Sequence, residues 1–114
     1  MFGLNTFKSQ FENLDETAFA IGIQQDDAVV IDCRTPQERS EGYIPGSIHL
    51  DINNPMQFIP GIQELDPDKA VYIYCRIGSR SAAACAHLAD IGFDRLYNLR
   101  GGIVHWNGPF IKDP

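Results

Sequence analysis

The sequence predicts an α/β fold with a parallel sheet, because buried strand segments alternate with helical segments along the chain. AVVID at residues 28–32 and VYIYC at 71–75 are short, continuous apolar runs, typical of strands covered on both faces. SAAACAHLADI at 81–91 is a strong helical segment that Gly92 closes. Strands that alternate with helices in this way pair in parallel and carry helices on both faces of the sheet.

Shorter signals place the remaining elements. Asp15 can cap a helix over residues 16–24, and Thr35, Pro36 and Glu38 open a second helix, in which Glu38 closes a capping box. Two further strands are predicted, near 47–50 and at 95–99. A third helix opens at Asn54-Pro55 and is expected to be interrupted at Pro60-Gly61. A short helical segment follows Gly101-Gly102 and runs through Trp106.

The composition is that of an ordinary globular protein, and 114 residues suffice for one domain with its own core. The formal net charge of −6 argues against nucleic acid or an acidic membrane as the main partner. Three cysteines, an odd number without the density of a disulfide scaffold, favour a reducing compartment. No secretory signal and no apolar run of membrane-spanning length is visible, so we expect a cytoplasmic protein.

Charge is distributed unevenly along the chain. Residues 1–69 hold twelve acidic and four basic residues, whereas residues 70–112 hold five basic and two acidic ones. An anion-binding site is therefore expected in the second half. A solvated basic face is the alternative, which the charge count alone does not reject.

The Cys75 loop, residues 75–81, carries the chemistry. Cys75 ends a strand, and the N–H groups of the following turn have no partners inside the helix and point toward its sulfur. Gly78 allows a positive φ, and Arg76 and Arg80 add positive charge. These features predict a lowered pKa for the Cys75 thiol and a nucleophilic thiolate, whereas an inert buried cysteine with solvated arginines is the alternative.

Loop length separates two chemistries. Tyrosine phosphatases and related arsenate reductases place five residues between the cysteine and a phosphate-binding arginine. Here only four separate Cys75 from Arg80, namely Arg76, Ile77, Gly78 and Ser79, and Ser81 stands where the phosphatase pattern has arginine. The shorter loop favours a single sulfur atom over a tetrahedral phosphate.

Four segments together resemble a single-domain rhodanese: IDCRTPQE at 31–38, GYIPGSIHL at 42–50, YCRIGSRS at 74–81 and NLRGGIVHW at 98–106. They cover most of the chain in the family's order. The resemblance implies an N-terminal extension at 1–10 and a rhodanese-like domain at 11–112, with a three-layer fold around a mainly parallel sheet of about five strands. Tyr43 stands where many members have histidine, a position that we interpret as structural.

The resemblance also implies a reaction. Cys75 would take the outer sulfur of thiosulfate or another sulfane donor as a persulfide and pass it to cyanide or a thiol, without a cofactor. The amides from Arg76 to Ser81 would form the cradle, with Arg76 and Arg80 at its rim. A loop of this type resembles thiosulfate users more than mercaptopyruvate users, which carry glycine next to the cysteine.

The other candidate residues are assigned supporting or structural roles. Asp32 and Arg34 point to the same side of the chain and are expected to pair and to brace the loops, with Glu38 as a helix cap and a partner of Arg34. Cys33 faces away from them into the core. Cys85 is too far along its helix to reach Cys75 as a resolving thiol and is expected to pack in the core. The histidines lack zinc spacing, so no metal is expected.

Two other functions remain open at this stage. One is a persulfide carrier or interaction module that exchanges sulfur with a partner protein. It needs Cys75 as the enzyme does, so the loop does not separate the two. The other is a cysteine phosphatase or arsenate reductase, which the missing spacer residue disfavours.

Overall fold

A five-stranded parallel sheet forms the centre of the computed structural model, which describes residues 10–113. The strands lie in the order β1-β5-β4-β2-β3, and each neighbouring pair is parallel: β1 (Glu12–Leu14), β2 (Ala28–Asp32), β3 (Ile48–His49), β4 (Ala70–Tyr74) and β5 (Leu96–Leu99). Four helices and one 3₁₀ turn connect them: α1 (Glu16–Gly22), α2 (Pro36–Ser40), α3 (Pro55–Gln63), α4 (Ser79–Asp90) and the turn Ile103–His105. The predicted α/β class is confirmed.

The central strand β4 is buried along its whole length and divides the core into two halves. Val71 and Ile73 pack with residues of α3 and α4 on one face, while Tyr72 and Tyr74 pack with Phe19 of α1 on the other. Because strand side chains alternate between faces, Cys75 continues the face of Val71 and Ile73. The fold therefore has three layers and delivers Cys75 toward α4.

The predicted interruption of the third helix at Pro60-Gly61 is wrong, because α3 continues through Pro60 to Gln63. Proline has no N–H, so the helix loses a backbone hydrogen bond at this position. Phe58 and Ile62, on either side of Pro60, are both buried. Their packing against the sheet holds the helix together across the proline.

The first strand was not among the predicted elements. Of the residues Glu12, Asn13 and Leu14, only Leu14 is apolar, and it is half-buried. The segment becomes a strand because it pairs with β5, where Leu14 lies opposite Leu99.

Apart from Gln10, the predicted N-terminal extension, residues 1–10, lies outside the described residues. Within residues 10–113, every helix is too short or too polar to cross a membrane.

Candidate functional site

Cys75 lies at the carboxyl end of β4, directly before the start of α4. The helix begins at Ser79, two residues earlier than the predicted start at 81, and Gly78 is its N-cap with φ of +104°. The left-handed conformation is one that glycine adopts without steric cost, so the chain can turn sharply here. The turn brings the first helical amides over the sulfur of Cys75.

Three donors of the loop contact the Cys75 sulfur directly. The N–H of Gly78 lies 3.1 Å from Sγ, the N–H of Ser81 3.4 Å, and the Ser81 hydroxyl 3.3 Å. Cys75 and Ser81 have no exposed surface. The predicted orientation of the loop donors toward the sulfur is therefore present in the structure, with the Ser81 side chain as an additional donor.

Cys33 lies beside Cys75, a contact that the sequence analysis missed. Asp32, the last residue of β2, pairs with Tyr74, the last residue of β4. A cysteine follows each of them, and both cysteines belong to the same core cluster. The pKa of the Cys75 thiol is lowered chiefly by the neighbouring Cys33 thiol, with further contributions from the hydroxyl and amide of Ser81 and the amide of Gly78, and in spite of burial. The same contact and burial raise the pKa of Cys33, which stays protonated and acts as a donor.

Cys85 shows what burial alone does to a cysteine in this core. It has no exposed surface, like Cys75, and burial raises its pKa to about 12. The two cysteines differ in the donors around the sulfur. This contrast favours the nucleophile over the inert cysteine as the interpretation of Cys75.

Cys33→Ala is expected to raise the pKa of Cys75 by roughly one unit, because it removes one donor from the thiolate. The measurement is the rate of Cys75 alkylation against pH, followed by mass mapping of the modified residue. Cys33→Ser, which keeps a donor, should restore most of the lowered value. Cys85→Ala removes a thiol of the same core cluster and should leave the midpoint pH of Cys75 alkylation unchanged. An equal shift in both alanine variants would mean that core packing, not the Cys33 thiol, controls Cys75.

The backbone of the Cys75 loop is held from behind by the 3₁₀ turn. The N–H of Ile103 donates to the carbonyl of Cys75 at 2.9 Å, and the N–H of Val104 donates to that of Arg76 at 3.2 Å. In a trans peptide, the next N–H points opposite to the carbonyl. The amides of Arg76 and Ile77 are therefore turned away from residues 103–104.

Four amides of the loop are available to a ligand. Among residues 10–113, none accepts a hydrogen bond from the N–H groups of Arg76, Ile77, Ser79 and Arg80. These groups belong to the turn and the first helical residues, where backbone N–H groups have no partner inside the helix. An anion at the loop would satisfy them.

Arg80 and Glu38 form a bidentate ion pair between α4 and α2. The two guanidinium–carboxylate distances are 2.7 and 2.8 Å, and Arg80 lowers the pKa of Glu38 to about 2. Glu38 also closes the predicted capping box with Thr35, which is confirmed. The predicted pairing of Glu38 with Arg34 is wrong, because Arg34 is bound to Asp32 and Arg80 reaches Glu38 from a distant part of the chain.

Asp32 and Arg34 pair as predicted. Both carboxylate oxygens accept hydrogen bonds from the Arg34 side chain, at 2.9 and 2.8 Å, and Arg34 also donates to the carbonyl of Gly42 at 2.7 Å. Arg34 lies over the ring of Tyr74, whose side chain belongs to the core cluster on the opposite face from Cys75. The pair therefore braces the end of β2 and the loop at Gly42 and does not reach the Cys75 sulfur.

The remaining loop side chains face solvent. Arg76, Ile77 and Ser79 are exposed, and Ile77 has 58% of its surface accessible. Val104, whose amide is bonded to Arg76, is also exposed. No group of three or more metal-ligating side chains occurs in the part of the chain that the structure describes.

Comparison with known proteins gives a consistent result for most of the chain. The model of the rhodanese-like domain matches residues 16–109. A sulfurtransferase of Allochromatium vinosum is 45% identical over 82 residues, which cover 71% of this chain and 73% of the relative. The thiosulfate sulfurtransferase GlpE of Pseudomonas syringae pv. syringae is 36% identical over 94 residues, which cover 82% and 86% of the two chains.

Solved structures share the fold. A rhodanese-related protein from Thermoplasma volcanium superposes with a TM-score of 0.75 at 27% identity, covering 90% of this chain and 99% of that one. A protein of unknown function from Rhodopseudomonas palustris, whose name adds "possible tyrosine phosphatase", superposes with a TM-score of 0.72 at 29% identity, covering 95% and 90%. The fold thus occurs in proteins named for different chemistries, and the site must decide between them.

Proposed function

Because the chain belongs to the rhodanese-like domain family, we propose that it is a sulfurtransferase that carries sulfane sulfur on Cys75. The observation that supports this most strongly is a buried sulfur with a lowered pKa, next to a turn whose amides have no partner among residues 10–113. Relatives at 45% and 36% identity are named sulfurtransferase and thiosulfate sulfurtransferase. A small sulfur-containing anion is the donor, and cyanide or a thiol is the acceptor.

In the first half-reaction the Cys75 thiolate attacks the outer sulfur of thiosulfate. A bond forms between Sγ and that sulfur, the sulfur–sulfur bond of thiosulfate breaks, and its electron pair leaves with sulfite. The negative charge of the enzyme then lies on the outer sulfur of the persulfide. The free amides of Arg76, Ile77, Ser79 and Arg80 are the donors that stabilise it.

In the second half-reaction cyanide or a thiolate attacks the outer sulfur. The bond to Sγ breaks, and its electron pair returns to Cys75. A thiol of low pKa is a good leaving group, so the donors around Sγ assist this step as well as the first. Neither step needs a general base, a metal or a cofactor.

A phosphate ester fits this site less well. Arg80 follows Cys75 after four residues and its guanidinium is bound in a bidentate pair to Glu38, so it is not free to hold a phosphate in the same way. The loop therefore supports sulfur transfer over the chemistry of tyrosine phosphatases.

A persulfide carrier is the second candidate. Ile77 exposes apolar surface next to the exposed Arg76 in the Cys75 loop. An apolar and cationic rim of this kind suits docking of a partner protein that donates or accepts sulfur. It does not exclude small donors, so kinetics must separate the two functions.

Steady-state kinetics with thiosulfate and cyanide test the proposal, with glutathione persulfide as a second donor and mercaptopyruvate and an aryl phosphate as control substrates. We expect ping-pong kinetics with thiosulfate and little turnover of either control. Poor use of thiosulfate together with rapid use of glutathione persulfide would favour the carrier. Efficient hydrolysis of the aryl phosphate, without sulfur transfer from either donor, would contradict the proposal.

A further inference from the structure

Asn98 is a buried polar residue of β5 that lies beside the start of α4. Its side-chain nitrogen Nδ2 donates to the carbonyl of Gly78 at 3.1 Å and to Oδ1 of Asn13 at 2.9 Å. Its oxygen Oδ1 accepts a hydrogen bond from the Ser81 hydroxyl at 2.5 Å. Asn98 is 3% exposed and has a partner for each polar atom.

The orientation of the Asn98 amide follows from its partners. The carbonyl of Gly78 can only accept, so the atom of Asn98 that faces it must be the donor Nδ2. The oxygen Oδ1 then faces Ser81 and can only accept. The hydrogen bond between the two side chains therefore uses the proton of Ser81.

The Ser81 hydroxyl has one proton and two acceptors within reach. One is Asn98 Oδ1 and the other is the Cys75 sulfur at 3.3 Å. A single hydroxyl proton cannot serve both acceptors fully. A charged acceptor attracts it more strongly than a neutral one, so its direction depends on the charge of Cys75.

We propose that Asn98 is a positioning residue for sulfur transfer: its Oδ1 accepts the hydrogen bond of the Ser81 hydroxyl while Sγ of Cys75 is bonded to sulfur, and the hydroxyl donates to Sγ instead when the thiolate returns. This inference rests on the proposed function and deepens it. In the free enzyme the charge lies on Sγ, and the Ser81 hydroxyl donates to it. In the persulfide the charge has moved to the outer sulfur, and the hydroxyl turns to Asn98.

The second half-reaction shows the consequence. As the acceptor attacks the outer sulfur, the electron pair of the broken bond returns to Sγ, and the Ser81 hydroxyl turns toward it. Asn98 stabilises the state before this step, and the contact of Ser81 with Sγ stabilises the state after it. Loss of the Asn98 acceptor and loss of the Ser81 donor should therefore act in opposite directions.

Two other groups near Cys75, Cys33 and Arg80, affect its charge but do not depend on Asn98. Cys33 contacts the sulfur from the end of β2 and is a protonated donor. Arg80 of α4 interacts electrostatically with Cys75 and is paired with Glu38 of α2. Neither contacts Asn98 by a hydrogen bond among the described residues.

The test compares Asn98→Leu, Ser81→Ala and the double variant by the pH dependence of Cys75 alkylation. Asn98→Leu should move the midpoint to lower pH by roughly 0.5–1 unit, because the hydroxyl is left with Sγ as its acceptor. Ser81→Ala should move it upward by a similar amount, and the double variant should match Ser81→Ala. Discharge of the preloaded persulfide by cyanide should be faster in Asn98→Leu and slower in Ser81→Ala.

Asn13→Ala is the matched control, since it removes the outer partner of Asn98 and leaves both contacts to the Cys75 loop. It should change neither the midpoint nor the discharge rate. An upward shift in Asn98→Leu, or an effect of Asn98→Leu that persists without the Ser81 hydroxyl, overturns the proposal. Should Asn98→Leu fail to fold, an unchanged midpoint in Ser81→Ala overturns it equally. Alkylation needs no sulfur donor, so these shifts are measurable even in a chain that transfers no sulfur.

Discussion

Incubation of the wild-type protein with excess thiosulfate is expected to make the intact chain one sulfur atom heavier, and Cys75→Ser is expected to abolish this gain. A two-step mechanism requires a covalent persulfide, which we expect the loop amides to stabilise in the absence of an acceptor. Turnover should fall by roughly 10³-fold or more in Cys75→Ser, because a serine hydroxyl without a neighbouring base is a poor nucleophile. Intact-mass spectrometry before and after addition of cyanide measures both the gain and its reversal.

The other two cysteines provide the controls for this experiment. Cys33→Ser and Cys85→Ser should still gain and lose the sulfur atom, with some loss of stability from a hydroxyl in the core. Cys33→Ser should be the slower of the two, because Cys33 and not Cys85 lowers the pKa of Cys75. Mapping of the added sulfur to Cys33 or Cys85, or persistent turnover in Cys75→Ser, would contradict the assignment of Cys75.

Gly102→Ala is expected to remove most of the activity without touching a reacting group. A Cβ atom at this position would lie 2.1 Å from the carbonyl oxygen of Arg76 and 2.5 Å from the nitrogen of Ile77. Both are backbone atoms of the Cys75 loop, so the loop must move away. Misplacement of a site by about 1 Å can cost 10²-fold in rate, and we expect a loss of that order in kcat/KM. The alkylation midpoint of Cys75 should rise, because its donors are displaced.

Gly46→Ala is a control that places alanine at a positive φ without a clash. Gly46 has φ of +82° and Gly102 φ of +73°, but a Cβ atom at Gly46 would meet nothing within 4 Å. Gly102 also has ψ of −171°, a conformation that is essentially restricted to glycine, so its alanine variant carries the larger backbone cost as well as the clash. Gly46→Ala should lose part of its stability to unfolding and keep its activity. Equal activity in the two variants would show that the packing of Gly102 on the loop is not needed.

The sequence predicted the elements whose signals are local. AVVID and VYIYC contain their own evidence of burial, and the capping box of Thr35 and Glu38 lies within one helical turn. The strand at Glu12–Leu14 has no such signal, because its conformation depends on pairing with β5. Pro60 is the opposite case, since a strong local signal was overridden by the packing of Phe58 and Ile62.

In the candidate site, too, the features with local sequence signals were predictable, and those that depend on strand pairing were not. The orientation of the loop amides toward Cys75 was predictable, because cysteine, glycine and helix start follow one another in the chain. Glu38 was assigned to Arg34, its neighbour in sequence, whereas Arg80 reaches it only once β2 and β4 are paired. The contact between Cys33 and Cys75 depends on the same pairing. Its signal was present, since each cysteine directly follows a buried strand.

The groups that contact the Cys75 loop from behind also determine when the pKa of Cys75 falls. Asn98, Ile103 and Val104 all leave the ribosome after Cys75, and β5 must enter the sheet between β1 and β4 before they reach the loop. Until then Cys75 has the reactivity of an ordinary cysteine in an unfolded chain, mostly protonated at neutral pH. A nascent chain therefore presents only a small fraction of Cys75 as thiolate to oxidants or to other thiols. The lowered pKa of Cys75 thus arises only with the completed fold, when Asn98, Ile103 and Val104 have reached the loop.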